Sequence, residues 1–242
     1  MTDTRPVALV TGASSGIGKE VARQLLGKGF LVYAAARDAT RGQQAVDDLG
    51  EGARPLVLDV TDERTITAAA ERVTELDVLV NNAGISDTGQ PATTADVGTF
   101  RRVYETNVFG VVAVTNAFLP ALRRSAHPRI VNVSSGTGSL GWSTGANPQF
   151  DHTLFAGVAA AYRSSKTALN ALTVYYAQAL AADGVKVNAF APGLRATNLN
   201  ARAAQAGGDP GEAAAEAVRL ALLPDDGPTA GFTSWDGTPA PW

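Results

Sequence analysis

The sequence predicts an α/β fold in which a doubly wound parallel sheet carries helices on both faces. Short apolar runs, typical of strands that are buried on both faces, recur six times along the 242 residues. Longer stretches rich in alanine, leucine and charged residues separate these runs and predict right-handed crossover helices. No internal repeat or linker divides the alternation, so we expect residues 1–242 to form a single domain.

The elements follow one another in a regular order. The predicted strands are Val7–Val10, Leu31–Ala36, Pro55–Asp59, Val78–Val80, Ile130–Val133 and Val185–Phe190. The predicted helices are Ile17–Lys28, Arg41–Leu49, Glu63–Leu76, Phe100–Arg123 and Ala159–Ala182. Ligands of such sheets bind beyond the carboxyl ends of the strands, where four polar or turn-forming residues fall: Gly12, Asn82, Ser135 and Pro192.

Composition excludes several classes of function. The chain has no cysteine, which excludes disulfides, thiolate metal sites and a cysteine nucleophile, and we predict no metal site. A formal net charge of −3 offers no basic footprint for nucleic acid. No apolar stretch is long enough to span a bilayer, so we expect no membrane partner and a cytoplasmic location.

A glycine-rich turn follows the first predicted strand and precedes the first predicted helix. In this context glycines allow a phosphate to approach the backbone, and the amides at the helix start can bind it. An ordinary βα turn is the alternative. The pattern predicts a pyrophosphate site formed by Gly12, Ser14, Ser15, Gly16, Ile17 and Gly18.

The charge at the end of the second predicted strand indicates which dinucleotide binds. An NAD-selective site usually has an acidic residue here, but the first charged residue is Arg37, with Arg41 one helical turn later. Both guanidinium groups could bind the additional phosphate of NADP(H) through charge-assisted hydrogen bonds. Two solvated arginines beside Asp38 are the alternative.

Tyr162 and Lys166 are spaced i,i+4 on a predicted helix and therefore project from the same face. A nearby ammonium stabilises tyrosinate, so we expect Lys166 to lower the pKa of Tyr162 and make it a proton donor and acceptor. A serine hydroxyl at the end of the fifth strand could stabilise a substrate oxygen as it gains negative charge. Ser134 and Ser135 both qualify.

These motifs together resemble the short-chain dehydrogenase/reductase family over nearly the whole chain. They are Thr11-Gly-x-x-x-Gly-Ile-Gly18, Asn81-Asn82-Ala83-Gly84, Asn107, Ser135, Tyr162-x-x-x-Lys166 and Pro192-Gly193. Residues 36–43, the long separation of Ser135 from Tyr162 and the carboxyl-terminal segment resemble the NADPH-dependent carbonyl reductases. The resemblance implies a Rossmann-type sheet of about seven strands, NADP(H) as cofactor and a small-molecule carbonyl substrate.

The resemblance also implies roles for particular residues. It favours Ser135 over Ser134 as the catalytic serine and places Asn107 in a water-linked proton path to Lys166. Cofactor-lining positions are Asp59 and Val60 at the adenine, Asn81, Ala83 and Gly84, and Pro192, Gly193, Arg195 and Thr197 at the nicotinamide. Arg195 departs from the small apolar residue that the family usually has there, although contacts made by the backbone would survive that change.

An insertion at about 136–158 contains Trp142, Phe150, His152 and Phe155. We expect Trp142, Phe150 and Phe155 to wall the substrate pocket with Ser135 and Tyr162, which would favour a bulky or aromatic ketone or quinone. Packing within the insertion is the alternative, and His152 has no predicted catalytic role. A second substrate loop is expected at about 194–212.

The leading hypothesis is an NADPH-dependent carbonyl reductase. A noncatalytic NADP(H)-responsive binding protein and an alcohol dehydrogenase working in the oxidative direction are the alternatives. Sugar-nucleotide epimerisation is less favoured, because the chain lacks room for a large additional substrate domain. A homo-oligomer is possible through helices 100–123 and 159–182, whereas the insertion could instead cover that face.

Overall fold

The computed structural model describes residues 5–87, 89–147, 157–205 and 207–242. Its centre is one seven-stranded parallel sheet with the strand order β3-β2-β1-β4-β5-β6-β7. The strands are β1 Val7–Val10, β2 Leu31–Ala36, β3 Ala53–Val57, β4 Val78–Asn81, β5 Arg129–Val133, β6 Lys186–Ala191 and β7 Phe232–Ser234. The order reverses between β1 and β4, and this switch point is where ligands of doubly wound sheets bind.

Nine α-helices occur among the described residues. They are α1 Gly16–Gly27, α2 Ala39–Leu49, α3 Glu63–Arg72, α4 Val97–Tyr104, α5 Gly110–Leu122, α6 Leu140–Thr144, α7 Ala160–Ala179, α8 Ala201–Ala204 and α9 Pro210–Ala221. Apolar residues of α1 and α9 pack on one face of the sheet, and those of α3, α5 and α7 pack on the other. Successive side chains of β1 point to opposite faces of the sheet. Ala8 and Val10 therefore pack with α1 and α9, and Leu9 packs with α3, α5 and α7.

The predicted doubly wound fold is confirmed, although several elements differ from their predicted bounds and α9 was not predicted. The predicted helix Phe100–Arg123 is interrupted by a π-helical turn at Glu105–Phe109, between α4 and α5. The seventh strand was implied by the resemblance but had no apolar run of its own in the sequence prediction. At three residues, β7 is too short to give a clear periodic signal.

The carboxyl terminus folds back against the segment that follows β5. Ser139 donates its hydroxyl hydrogen to the carbonyl oxygen of Pro241 at 2.6 Å, and the amide of Gly141 donates to the carbonyl of Trp242 at 2.9 Å. The rings of Phe232 and Trp242 stack with centroids 5.3 Å apart. The last residues therefore brace α6 beside the carboxyl end of the sheet.

Candidate active site

The glycine turn after β1 approaches neighbouring backbone closely. Gly12 and Gly16 have positive φ angles of 65° and 57°, which favour glycine. A Cβ atom at Gly12 would lie 3.0 Å from the Cα of Ala83, and one at Gly18 would lie 2.6 Å from the carbonyl oxygen of Gly12. Ser15 precedes α1 without a side-chain capping bond, so it leaves the first amides of that helix uncapped.

Thr11 and Asn82 fix this turn, although neither was predicted to have a catalytic or cofactor-binding role. The Asn82 side-chain amide donates to the carbonyl oxygens of Thr11 and Gly12 at 2.8 and 3.2 Å. In return, the Thr11 hydroxyl oxygen accepts from the backbone amides of Asn82 and Ala83 at 3.0 Å each. The position of Asn82 at the end of a buried strand was the available signal for this role.

The structure directs the Asn81 side chain away from that turn. It is buried and donates to the Thr115 hydroxyl at 3.1 Å and to the Asn132 side-chain oxygen at 2.9 Å. Asn132 in turn donates to the Thr173 hydroxyl at 2.9 Å. This polar network joins β4 and β5 to the helices behind the sheet, so a cofactor contact of Asn81 would have to come from its backbone.

The predicted adenosine-binding residues lie at the open ends of β2 and β3. Arg37 and Arg41 are both exposed. The Asp38 carboxylate accepts the backbone amide of Arg41 at 2.8 Å and thereby caps α2. Asp38 thus has a local structural role between the two arginines.

Asp59 and Val60 continue the chain beyond β3. The Asp59 carboxylate accepts the amide and the hydroxyl of Thr61 at 2.9 and 2.7 Å, which stabilises the turn before α3. Val60 packs closely on Gly110, where a Cβ atom would lie 2.8 Å from the Val60 carbonyl oxygen.

The two serines after β5 have different partners. The Ser135 side chain faces the Tyr162 phenol and lowers its pKa, and it shares a hydrogen bond of 2.9 Å with the Thr137 hydroxyl. Ser134 is buried and donates to the Asn170 side-chain oxygen at 2.5 Å. Of the two hydroxyl groups, that of Ser135 acts on the pKa of the tyrosine, whereas that of Ser134 is bonded in the interior.

Lys166 lies one helical turn after Tyr162 on the inner face of α7. Its ammonium donates to the Val133 carbonyl oxygen at 2.8 Å and lies 5.9 Å from the centroid of the Tyr162 ring. Gly84 lies beside it, since a Cβ atom there would be 3.6 Å from the Lys166 Nζ. Burial lowers the pKa of Lys166 from 10.5 to about 8.

The surroundings of Tyr162 act on its phenol in opposite directions. Burial raises the pKa of Tyr162, the hydrogen bond with Ser135 lowers it, and the negative charge of Asp87 raises it. The net pKa shift is upward, contrary to the expected lowering by Lys166. The reason is that desolvation disfavours the phenolate and, in the same pocket, the ammonium that would stabilise it.

Asn107 occupies the π-helical turn between α4 and α5 and is completely buried. Its side-chain amide donates to the Ile85 carbonyl oxygen at 2.9 Å and to the Ser165 hydroxyl at 3.0 Å, and its oxygen accepts the Ile85 amide at 2.9 Å. Asn107 therefore links the loop after β4 to α7, and a solvated position on the helix surface is excluded.

The segment after β6 faces the glycine turn. Gly193 has a φ of 68°, and a Cβ atom at Gly16 would lie 3.1 Å from the Thr197 Cγ2. The Arg195 side chain is buried, with its guanidinium carbon 4.4 Å from the centroid of the Trp235 ring and its Nη2 3.6 Å from a Glu212 carboxylate oxygen. Thr197 thus reaches the phosphate turn, while Arg195 points towards the end of β7.

The insertion does not bring Trp142 to the other predicted pocket residues. Its indole is buried in a small apolar cluster, with the Phe232 ring centroid 6.4 Å away. Phe150, His152 and Phe155 lie outside the described residues. The Trp142 position matches the alternative of packing within the fold.

A groove of about 580 Å³ borders α6 and α7. The α7 residues that line it are Ala160, Arg163, Ser164, Thr167, Ala168 and Ala171. The helical period places most of them opposite Tyr162 and Lys166. None of the predicted catalytic residues lines this groove.

No helix within the described ranges combines the length and apolar character needed to cross a membrane. Across the same residues, no three or more histidine, aspartate or glutamate side chains come together as possible ligands for a metal ion.

Comparison with known proteins places these features in a family. The sequence matches the family model described as short chain dehydrogenase over residues 6–148 and 152–207. A short-chain dehydrogenase, anuI, from Penicillium roqueforti is 38% identical, with 81% of each chain covered. Salutaridine reductase from Papaver bracteatum is 32% identical, with 93% of each chain covered.

A solved structure shares the whole fold. The carbonyl reductase from chicken fatty liver, determined with NADPH bound, superimposes with a TM-score of 0.84 at 27% identity. The alignment covers 98% of the present chain and 100% of the reductase. The likeness therefore extends through the glycine turn, α7 and the segment after β6.

Proposed function

The chain belongs to the short-chain dehydrogenases, which are oxidoreductases, and we propose that it is an NADPH-dependent reductase of carbonyl compounds. The Ser135 hydroxyl beside the Tyr162 phenol, with Lys166 on the same helix as the tyrosine, carries the proposal. These groups can bind a carbonyl oxygen and deliver a proton to it, which is what formation of an alcohol from a ketone requires.

The residues around the glycine turn fit a dinucleotide. A Cβ atom at Gly12 or Gly18 would fill the space beside the turn, and Ser15 leaves the first amides of α1 free to bind a pyrophosphate. Thr197 covers the turn from the opposite side. Gly12 to Gly18 would hold the pyrophosphate, while the segment from Pro192 to Thr197 would hold the nicotinamide.

The charge at the end of β2 supports a preference for NADP(H) over NAD(H). Arg37 and Arg41 are exposed at that strand end, where two guanidinium groups can bind a phosphate. The Asp38 carboxylate is occupied as the cap of α2. The chicken liver reductase was solved with NADPH, which agrees with this preference.

Each side chain of the constellation has a distinct chemical role. Bound NADPH supplies the hydride that reduces the carbonyl carbon. Tyr162 donates its phenolic proton to the carbonyl oxygen, and Ser135 donates a hydrogen bond that stabilises the charge growing on that oxygen. The raised pKa of Tyr162 keeps the phenol protonated before reaction, which suits a proton donor.

Lys166 and Asn107 support the reprotonation of Tyr162 after it has donated its proton to the substrate. With a pKa of about 8, Lys166 can lose and regain a proton near neutral pH. Asn107 joins the loop after β4 to α7 beside Lys166 and holds the geometry of a path towards it. We therefore assign Asn107 a positioning role in reprotonation.

The substrate proposed is a bulky or aromatic ketone or quinone. Phe150 and Phe155 of the insertion are the residues proposed to contact it, while Trp142 packs in the fold instead. One relative is named salutaridine reductase, and the alignment covers 93% of its length. Its name agrees with reduction as the direction.

The test measures initial oxidation of NADPH by the purified protein with aromatic ketones, quinones and aliphatic carbonyls, with NADH in parallel. Tyr162→Phe is the control, because it removes only the phenolic hydroxyl. We expect turnover with NADPH that is lost in Tyr162→Phe. Tight NADPH binding without turnover across the panel would favour the noncatalytic binding protein instead.

A further inference from the structure

We propose that Asp87 is a positioning residue for Tyr162, holding the first turn of α7 and placing a negative charge beside the phenol. This inference rests on the proposed function, in which Tyr162 donates the proton. Asp87 is half-buried in the loop after β4, and none of the sequence motifs includes it.

The carboxylate of Asp87 provides the side-chain cap that α7 lacks locally. Ala159 precedes the helix in a left-handed conformation, with a φ of 55°, and has no side-chain acceptor. The Asp87 Oδ2 instead accepts the backbone amide of Tyr162 at 3.2 Å. An anionic acceptor at a helix N-terminus is favourable because it binds an otherwise unpaired amide and complements the helix dipole.

Backbone pairing holds Asp87 in this place. The amide of Ala92 donates to the Gly157 carbonyl at 2.8 Å, and the amide of Ala159 donates to the Gln90 carbonyl at 3.1 Å. The second carboxylate oxygen of Asp87 accepts the Gly89 amide at 3.0 Å. These hydrogen bonds join the loop after β4 to the chain entering α7, and the bond from Asp87 to the Tyr162 amide links the loop position to the tyrosine.

The charge of Asp87 also acts on the phenol. Among the residues that the structure describes, the groups facing Tyr162 are Ser135 from the end of β5, Lys166 from α7 and Asp87 from the loop after β4. Ser135 stabilises the phenolate by a hydrogen bond, whereas the Asp87 carboxylate repels it and raises the pKa of Tyr162. Asp87 thereby adds to the larger effect of burial and favours the acid form of Tyr162 that carbonyl reduction uses.

Two substitutions separate the positioning of the Tyr162 amide from the electrostatic effect on its phenol. Asp87→Asn keeps an oxygen that can accept the Tyr162 amide but removes the charge, while Asp87→Ala removes both. Asp62→Asn is the matched control, because Asp62 caps α3 in the same way, through the Arg64 amide at 3.0 Å. The readouts are tyrosinate absorbance against pH, with Tyr162→Phe subtracted, and the pH profile of kcat/KM for reduction.

We expect Asp87→Asn to lower the pKa of Tyr162, because it removes the carboxylate charge that disfavours the phenolate, and to move the basic limb of the reduction profile down with it. Asp87→Ala should show the same pKa shift together with a further loss of kcat, roughly tenfold. Asp62→Asn should match the unsubstituted protein in both readouts.

Two results would overturn the proposal. An unchanged Tyr162 titration in Asp87→Asn would exclude the electrostatic effect, and equal kcat values for the asparagine and alanine variants would exclude the positioning effect. The tyrosinate titration needs no turnover. A chain that reduces no carbonyl compound but shows the shift would therefore refute the proposed function and not the effect of Asp87.

Discussion

The Ser134 hydroxyl donates to the side-chain oxygen of Asn170 at 2.5 Å, and this bond commits Ser134 to the interior between β5 and α7. Ser134 is 2% exposed and also lies 3.4 Å from the Lys166 carbonyl oxygen. The next residue, Ser135, is half-buried and faces Tyr162. The end of β5 therefore separates a serine that is bonded in the interior from one that faces the proposed proton donor.

Substitution of the two serines should have different consequences. Ser135→Ala removes the donor to the substrate oxygen, and we expect kcat to fall about 100- to 1000-fold with little change in the melting temperature. Ser134→Ala leaves Asn170 without its partner and should lower the free energy of unfolding by about 1–3 kcal/mol. Initial rates and thermal unfolding of both variants test this, and full activity in Ser135→Ala would contradict it.

Lys166→Met should stabilise the protein in the absence of cofactor while abolishing turnover. The depression of the Lys166 pKa from 10.5 to about 8 corresponds to about 3 kcal/mol of destabilisation at pH 7. Loss of the bond to the Val133 carbonyl offsets about 1 kcal/mol of the gain. We expect a net increase of about 2 kcal/mol in the free energy of unfolding.

The pH dependence of this increase follows from the direction of the pKa shift. Between pH 8 and 10.5 the unfolded chain binds the Lys166 proton and the folded chain does not, so the lysine protein gains stability as pH rises. The advantage of Lys166→Met should therefore be full below pH 8 and fade towards pH 10.5. Denaturant unfolding at several pH values measures it, and a constant difference would contradict the pKa.

The strongest sequence signals were local and periodic. The strands β1 and β2 match their predicted ranges, since each is a buried apolar run ended by a turn or a charge. The i,i+4 spacing placed Tyr162 and Lys166 on one helix face, as the structure shows. Such patterns need only neighbouring residues, and for that reason a single sequence reveals them.

Contacts between distant segments were missed. Asn82 and Thr11 are 71 positions apart, and no local pattern indicates that one braces the other. Asp87 reaches α7 across 75 positions for the same reason. The sequence pattern of aromatic residues in a loop is the same whether they contact a substrate or pack in the core. Only the tertiary structure shows that Trp142 packs beside Phe232.

Arg37→Ala should weaken NADPH binding selectively. A charge-assisted hydrogen bond to a phosphate contributes about 1.5–3 kcal/mol, so we expect a 10- to 100-fold rise in the Kd for NADPH with an unchanged Kd for NADH. Arg72→Ala, at another exposed arginine, is the control. Fluorescence titration of both cofactors tests it, and equal weakening of both would exclude a role in discrimination.

Trp142→Ala should destabilise the fold and leave substrate preference unchanged. The indole is 6% exposed against Ala189, Phe232 and Ala240, so truncation opens a cavity that costs about 3–5 kcal/mol. Trp142→Phe keeps part of the contact and should cost less. Denaturant unfolding measures the loss of unfolding free energy. The order of kcat/KM over the carbonyl panel tests whether substrate preference is unchanged. A changed order of kcat/KM values with unchanged stability would instead indicate that Trp142 contacts the substrate.

Arg195→Met should leave the protein as stable as before or more stable. Arg195 is 8% exposed, and its Nε and Nη2 have no hydrogen-bond partner among the described residues. Its positive charge is offset by the Trp235 ring at 4.4 Å and by Glu212 at 3.6 Å, an ion pair weakened because Glu212 is half-exposed. Methionine has a similar length and carries no charge that must be desolvated. Replacing a buried charged group by an apolar one often leaves the free energy of unfolding unchanged or raises it by about 1–4 kcal/mol.

Glu212→Gln is the matched control for Arg195, since it removes the compensating anion and should lower the melting temperature. NADPH affinity in Arg195→Met should stay within about threefold, because backbone groups of the segment from Pro192 to Thr197 are proposed to make the nicotinamide contact. Calorimetric unfolding and cofactor titration measure the two effects. A large drop in melting temperature for Arg195→Met would instead show that the stack on Trp235 outweighs the desolvation of the guanidinium.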